Sequence, residues 1–378
     1  MKQTPKQAIA ILFLVDGIGF GVWAAHIPVI QKTLRLDTAA LSFVLLSLVG
    51  GSILSMPLTG YFITRFGSRI TVRSAAGLYI LALAHLALLS SHWAFLIGAA
   101  LFGAAKGALD VAVNAQALAV EKHDKASCLG FCQGCWSAGG LLGAGFSSLM
   151  LHYGSTAPID LLLCASALSL LSVPAFIGGL VDDPLTSERE SSVAWGDAYL
   201  LKLAVLAFSG LFAEGVVGDW AAVYLHLDIG TTVSWAAAGY ACYAVAMAAS
   251  RFAGDWVSSH FTEAKLLVGS GSLIAAGFAL LLMARTWLPA FAGLGITGIG
   301  MANIVPVVIR ASGRSSRSSA GAAISAVSTV GYFGLLAGPP LIGWVAHWTT
   351  LRSSLVLVIL AGLVVMMGAK FTGSSKEI

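Results

Sequence analysis

Apolar residues run along almost the whole chain in long stretches, each closed by a short polar break. A helix needs about 20 mostly apolar residues to cross the hydrocarbon core of a bilayer. Reading runs and breaks in that way predicts helices over 8–30, 39–63, 72–91, 94–120, 128–151, 157–180, 199–225, 232–257, 264–284, 287–311, 318–345 and 350–370. That makes twelve spans. The first follows Lys2 and Lys6 as a secretion signal would, but Asp16 interrupts its apolar stretch and no small-residue cleavage site follows, so it reads as a retained helix. The one long connector, Val181 to Ala198, holds Asp182, Asp183, Pro184, Glu188, Arg189 and Glu190. It divides the chain into a six-helix half over 1–180, a linker over 181–198 and a second half over 199–378.

Composition sharpens this picture. Of 378 residues, 58% are hydrophobic and only 10% charged, whereas a soluble domain carries about 25% charge. The net charge of +4 is scattered, so nucleic-acid binding has no basic patch to rest on. Assigning the 21 Lys and Arg residues to alternate sides puts sixteen on the side of the N-terminus and four (Lys32, Arg35, Arg285, Arg352) on the other, with Lys106 left in the membrane. The positive-inside rule then places both termini in the cytoplasm of a multi-pass protein of the cell inner membrane. Arg251 is counted on the cytoplasmic side in this assignment.

The five cysteines fall inside apolar runs, so a disulfide framework is not expected. Cys128, Cys132 and Cys135 have the spacing of an iron–sulfur motif, but on one face of an apolar helix and not in a loop that could wrap a cluster. No metal and no cofactor are expected. A nucleophile and base at convincing spacing are also missing, which argues against an enzyme.

The two halves resemble each other. Asp16-Gly17 and Gly21 to Ala25 in the first span match Glu214-Gly215 and Gly218 to Ala222 in the seventh, at offsets of 198 for the acid and 197 for the Trp. Arg65-Phe66 pairs with His260-Phe261 at 195, Gly107 and Asp110 with Gly300 and Asn303 at 193, and Ser137, Gly140 and Gly143 with Ser328, Gly331 and Gly334 at 191. A nearly constant offset over so many positions is the mark of a duplicated six-helix bundle. Two such bundles with a midplane site between them are a transporter layout.

On this repeat and on the segment Gly60-Tyr-Phe-Ile-Thr64-Arg65-Phe66-Gly67-Ser68-Arg69, the chain resembles the major facilitator superfamily. That superfamily's loop signature reads Gly-x-x-x-Asp-Arg-x-Gly-Arg-Arg/Lys; Thr64 stands at the Asp and Ser68 at the first Arg. The resemblance implies an all-α membrane protein of twelve transmembrane helices in two pseudo-symmetric six-helix bundles. The missing Asp means that the charge cluster latching the cytoplasmic side must be built differently here, with Arg65 and Arg69 expected to serve gating. Asp110-x-x-x-Asn114 in the fourth span and Gln133 with Gly139 in the fifth resemble the fucose-permease-like branch. The acid of that branch's first helix lies four residues before its Pro; here Ala24 holds that place before Pro28 and Asp16 lies two turns deeper.

Ionisable residues at membrane depth cost at least about 2.5 kcal/mol each and face a cavity or a partner. Asp16, Lys106, Asp110 and Glu214 are such residues. Asp16 and Asp110 share a depth, and one Lys cannot neutralise both, so these four are the expected proton-coupling groups. Gly103, Lys106, Asp110 and Asn114 form one polar stripe at helical spacing. Expected substrate-binding residues are Trp23, Asn114, Gln133, Trp136, Trp220 and Asn303, because aromatic faces beside carboxylates and amides suit polar ring solutes. Asp219, about 140° around the helix from Glu214, is expected at an external gate. The sequence therefore points to proton-coupled movement of a small polar organic solute, such as a sugar, by a monomer in the lipid bilayer. The alternative is proton-driven efflux of drugs or amphiphiles, although the Gly-Pro motif of drug antiporters is absent from the fifth span.

Overall fold

A computed structural model describes residues 4–36, 38–182, 197–315 and 318–376; most of the predicted linker lies outside them. Among the described residues every regular element is helical. The first half holds α1 (Pro5–Thr33), α2 (Thr38–Leu86), α3 (His92–Asp124), α4 (Leu129–His152) and α5 (Ala157–Ile177). The second holds α6 (Ala198–Leu227), α7 (Val233–His260), α8 (Glu263–Met283), α9 (Trp287–Met301), α10 (Ile304–Ser312), α11 (Ala320–Trp348), α12 (Leu351–Ser354) and α13 (Val356–Gly368), followed by a 3₁₀ turn over Ala369–Lys376.

These helices make up twelve spans, six in each half. The second and third run on as the single element α2, which turns at Gly67, where φ is 81° and ψ 159°. A side chain would be strained there, so glycine marks the joint. The tenth span breaks into α9 and α10 at Ala302 and Asn303, and the twelfth into α12 and α13 at Leu355.

Polar caps start the helices where the apolar runs begin. Thr4 and Gln7 form a reciprocal capping box ahead of Pro5, and Ser91, Thr232, Thr262 and Thr350 accept from the first turns of α3, α7, α8 and α12. Cys128 gives α4 no side-chain cap of its own. Glu121, in the last turn of α3, replaces it: its Oε1 accepts the Cys128 and Leu129 backbone N–H groups, each at 2.9 Å.

The chain forms two compact units, Met1–Ser192 with Ser318–Ser325, and Val193–Arg317 with Ala326–Ile378. In the first, α1 lies backbone to backbone on α4. A Cβ on Gly17 would stand 2.1 Å from the Trp136 carbonyl oxygen, and one on Gly143 2.2 Å from that of Ile18. In lipid such small-residue contacts take the place of the hydrophobic effect between helices. The second unit repeats the device: a Cβ on Gly334 of α11 would meet the Phe208 carbonyl oxygen of α6 at 2.3 Å. The close seam fixes the height of Asp16 on α1 against Trp136 on α4.

Candidate functional site

The first unit holds a buried charge cluster. Lys106 and Asp110 are one turn apart on α3, and Asp16 projects from α1 toward them. The Lys106 ammonium donates to Asp16 Oδ2 at 3.2 Å and to Asp110 Oδ1. Both Lys106 and Asp16 are buried, whereas the Asp110 side chain keeps 15% of its surface. One cation thus reaches both acids, and the more accessible acid is Asp110. The other oxygen of Asp16, Oδ1, is buried with no hydrogen-bond partner among the described residues. With both acids ionised, two carboxylates stand against one ammonium.

Aromatic and amide groups surround this cluster. Lys106 Nζ lies 5.7 Å from the centre of the Phe20 ring and 5.6 Å from that of Trp136, within cation–π range. Those two half-buried rings stack on each other at 6.3 Å with 29° between their planes. Asn114, one turn beyond Asp110, donates to the Asp110 carbonyl at 2.7 Å, and Gln133 of α4 donates to Asn114 Oδ1 at 3.3 Å. Asp16, Lys106, Asp110, Asn114, Gln133 and Trp136 therefore form one connected group. Phe20, absent from the sequence expectation, belongs to it; its signal was its place one helical turn after Asp16.

Trp23 is not part of this group. It is 2% exposed and packs on Phe95 and Phe102, with ring centres 5.9 and 5.6 Å away. Its indole fills the core between α1 and α3, so the shared face with Asp16 expected from heptad spacing does not carry it to the cluster.

In the second unit Glu214 of α6 faces Arg251 of α7 at 3.6 Å, with side chains 22% and 4% exposed. Counting Arg251 among the cytoplasmic charges is corrected here: it lies nine residues before the end of α7 and is buried against an acid. A lone Arg so far inside an apolar run was the available signal. Two residues flank the pair on α7, Tyr240 and the fully buried Tyr243, whose hydroxyl donates to Met301 Sδ at 3.1 Å. Asp219 is exposed and has no ion pair or hydrogen bond among the described residues, and Trp220 is half-buried. Asn303 sits at the break between α9 and α10, 8% exposed.

The signature loop is held without its acid. Thr64 donates to the Gly60 carbonyl at 3.0 Å and meets Ser319 Oγ at 2.6 Å, while Ser319 Oγ accepts the Ala322 backbone N–H at 3.2 Å. The only donor assignment consistent with these contacts has Ser319 donating to Thr64. An uncharged hydroxyl relay thus seats residues 318–325 in the first unit, and Ser325 adds a 2.6 Å bond to the Met56 carbonyl. Ser68 is buried and donates to Gln116 Oε1 at 2.6 Å; Gln116 in turn donates to the Val181 carbonyl at 3.2 Å. Arg69 pairs with Asp182, and Arg65 lies near the Tyr61 hydroxyl at 3.3 Å. The two departures from the signature, Thr64 and Ser68, are therefore both bonded, and Ser68 with Arg69 secures the start of the linker.

Comparison with known proteins places this geometry. The family profile described as Major Facilitator Superfamily matches residues 9–320. The chain is 31% identical over 360 residues to an uncharacterized MFS-type transporter of Yersinia pestis, covering 95% of this chain and 94% of the relative. It is 30% identical to the membrane protein MosC of Rhizobium meliloti, covering 98% and 90%. Among solved structures, the E. coli fucose:proton symporter FucP superposes with a TM-score of 0.83 at 15% identity, covering 97% of this chain and 98% of that one. The human organic anion transporter MFSD10 gives 0.76 at 16% identity, covering 98% and 100%.

Proposed function

Because the chain belongs to the major facilitator superfamily and is a multi-pass membrane transporter of that type, we propose that it moves a small polar organic solute of the sugar type, coupled to protons. It would do so by alternating access, in the inner membrane, with both termini in the cytoplasm. One observation carries this reading: Lys106 is shared by two carboxylates, one of which keeps an unpartnered buried oxygen, beside a stacked aromatic pair. With both acids ionised the cluster holds one surplus negative charge in a low-dielectric setting, a state that a single proton neutralises. Asp110, the accessible acid, is the route by which that proton enters and leaves. Phe20 and Trp136 offer an apolar face to a ring, and Asp110, Asn114 and Gln133 offer acceptors and donors to its hydroxyls.

The likeness to FucP, a fucose:proton symporter, supports the choice of solute and coupling ion. A second reading is proton-driven efflux of amphiphiles; a site with a surplus carboxylate beside two aromatic rings also suits an organic cation. Thermal-shift measurements against sugars, amino acids and cationic dyes separate the two, since only a bound ligand raises the melting temperature. Coupling is tested in proteoliposomes. Asp110→Asn should abolish uphill accumulation driven by a pH gradient while counterflow exchange survives, because exchange needs only the loaded carrier to reorient. Uphill accumulation by Asp110→Asn would remove the proton from this acid.

A further inference from the structure

Just past the turn at Gly67, α2 carries two half-buried guanidinium groups one helical turn apart, Arg69 and Arg73. Arg69 gives one nitrogen to Asp182, at the start of the linker. Arg73 lies within electrostatic reach of both but has no ion pair among the described residues. Three further nitrogens, Arg69 Nε, Arg73 Nε and Arg73 Nη2, are buried with no hydrogen-bond partner among the described residues. Buried donors are as a rule paired, and a charged one is the costliest to leave alone. Two permanent cations against one carboxylate also leave one positive charge uncompensated.

A second feature lies one turn further into the membrane. Gly77 is about 40° around the helix from Arg73, and a Cβ placed on it would meet nothing within 4 Å. Another turn on, and about 80° around from Arg73, Leu81 is 67% exposed. Down this side of α2 come two cations, an open notch and a bare apolar surface. That is the order of a phospholipid's parts: phosphate, glycerol, acyl chain. From this we infer that Arg69 and Arg73 bind the phosphate of an anionic phospholipid, with its glycerol backbone in the notch at Gly77 and an acyl chain along Leu81.

The chemistry selects among headgroups. A guanidinium presents its N–H groups as a fixed fork that matches phosphate oxygens, and such charge-assisted bonds are about twice as strong as neutral ones. Phosphatidylglycerol brings one net negative charge, which cancels the surplus at Arg69, Arg73 and Asp182. Phosphatidylcholine carries an ammonium of its own and leaves the surplus in place. Free phosphate meets the cations but neither the notch nor the apolar surface. The site is independent of the transported solute and of proton coupling, and in the proposed orientation it faces the cytoplasmic leaflet.

Thermal-shift titration of the purified full-length protein in detergent tests the site, with short-chain phosphatidylglycerol, short-chain phosphatidylcholine and inorganic phosphate compared at matched ionic strength. Phosphatidylglycerol should raise the melting temperature to a plateau, and the other two should not. Arg73→Gln keeps a polar side chain but drops the charge, and should weaken the apparent affinity about tenfold, the loss of one charge-assisted bond. Gly77→Leu keeps every charge and fills the notch, so it should remove most of the shift. Because leucine is well tolerated in lipid, this variant gives the reading should Arg73→Gln fail to fold. Lys202→Gln removes an exposed cation from α6 and should leave the affinity unchanged. An equal shift with phosphatidylcholine, or one reproduced by inorganic phosphate, would overturn the lipid site. So would an unchanged affinity in Arg73→Gln or Gly77→Leu, or a loss in Lys202→Gln as large as that in Arg73→Gln.

Discussion

Lys106 is the residue on which the first unit's charge balance turns. Its ammonium contacts both Asp16 and Asp110, so the three groups respond unequally to removal. Asp110→Asn leaves Lys106 with Asp16 at 3.2 Å, a balanced pair, and should melt close to the wild type. Lys106→Met strands two carboxylates, and breaking a buried pair in this way costs about 3–5 kcal/mol. We expect it to be the least stable single variant in thermal melts. Combining it with Asp16→Asn and Asp110→Asn should recover much of the loss, and a mutant cycle reads the coupling directly. Recovery no greater than the sum of the single effects would mean that the three groups do not act together. The depth shared by Asp16 and Asp110 is readable from the sequence; that a single lysine bridges them is not, because the azimuth of α1 about its own axis is set by packing.

At the scale of elements, glycines decide which faces meet. The α1–α4 seam is tight at Gly143, where a Cβ would stand 2.2 Å from the Ile18 carbonyl oxygen, and open two residues on at Gly145, where nothing lies within 4 Å. Gly143→Leu should therefore abolish transport and lower the melting temperature sharply, while Gly145→Leu should leave both near wild type, since leucine is at home in lipid. Equal damage from the two would mean that helix propensity, and not the seam, governs. The same reasoning explains how the signature loop persists without its acid. Thr64 has the size and the hydroxyl to relay Ser319 onto the Gly60 carbonyl, so the N-terminal end of α11 is held by neutral hydrogen bonds. The missing Asp was visible in the sequence; its replacement lies 255 residues away and appears only once the chain is folded.

For the whole molecule, the division of charge, fifteen to four once Arg251 is set beside Glu214, predicts the orientation. A reporter fused after Ile378 and a cysteine label placed at Glu188 should both report the cytoplasm. Either one found outside would reverse the proposed topology. The sequence by itself determined the class of this protein: its apolar runs can satisfy their backbone groups in a bilayer only as helices, and the count of runs, the long connector and the repeated Asp16 and Glu214 motifs identify a duplicated six-helix transporter. Periodicity also gives depth along each helix, which is why Asp16 and Asp110 read as sharing a depth and Lys106 and Glu214 as ionisable residues within the membrane. It does not give rotation about each helix or the partner across the seam. Those were decided by tertiary structure: the Gly17 and Gly143 contacts turn Phe20 and Asp16 toward α3, the core between Phe95 and Phe102 takes up Trp23, and α7 brings Arg251 to Glu214. The physical reason is that hydropathy measures only how much of a helix avoids water, whereas in lipid the choice of contacting face rests on close packing and on finding a partner for each buried charge.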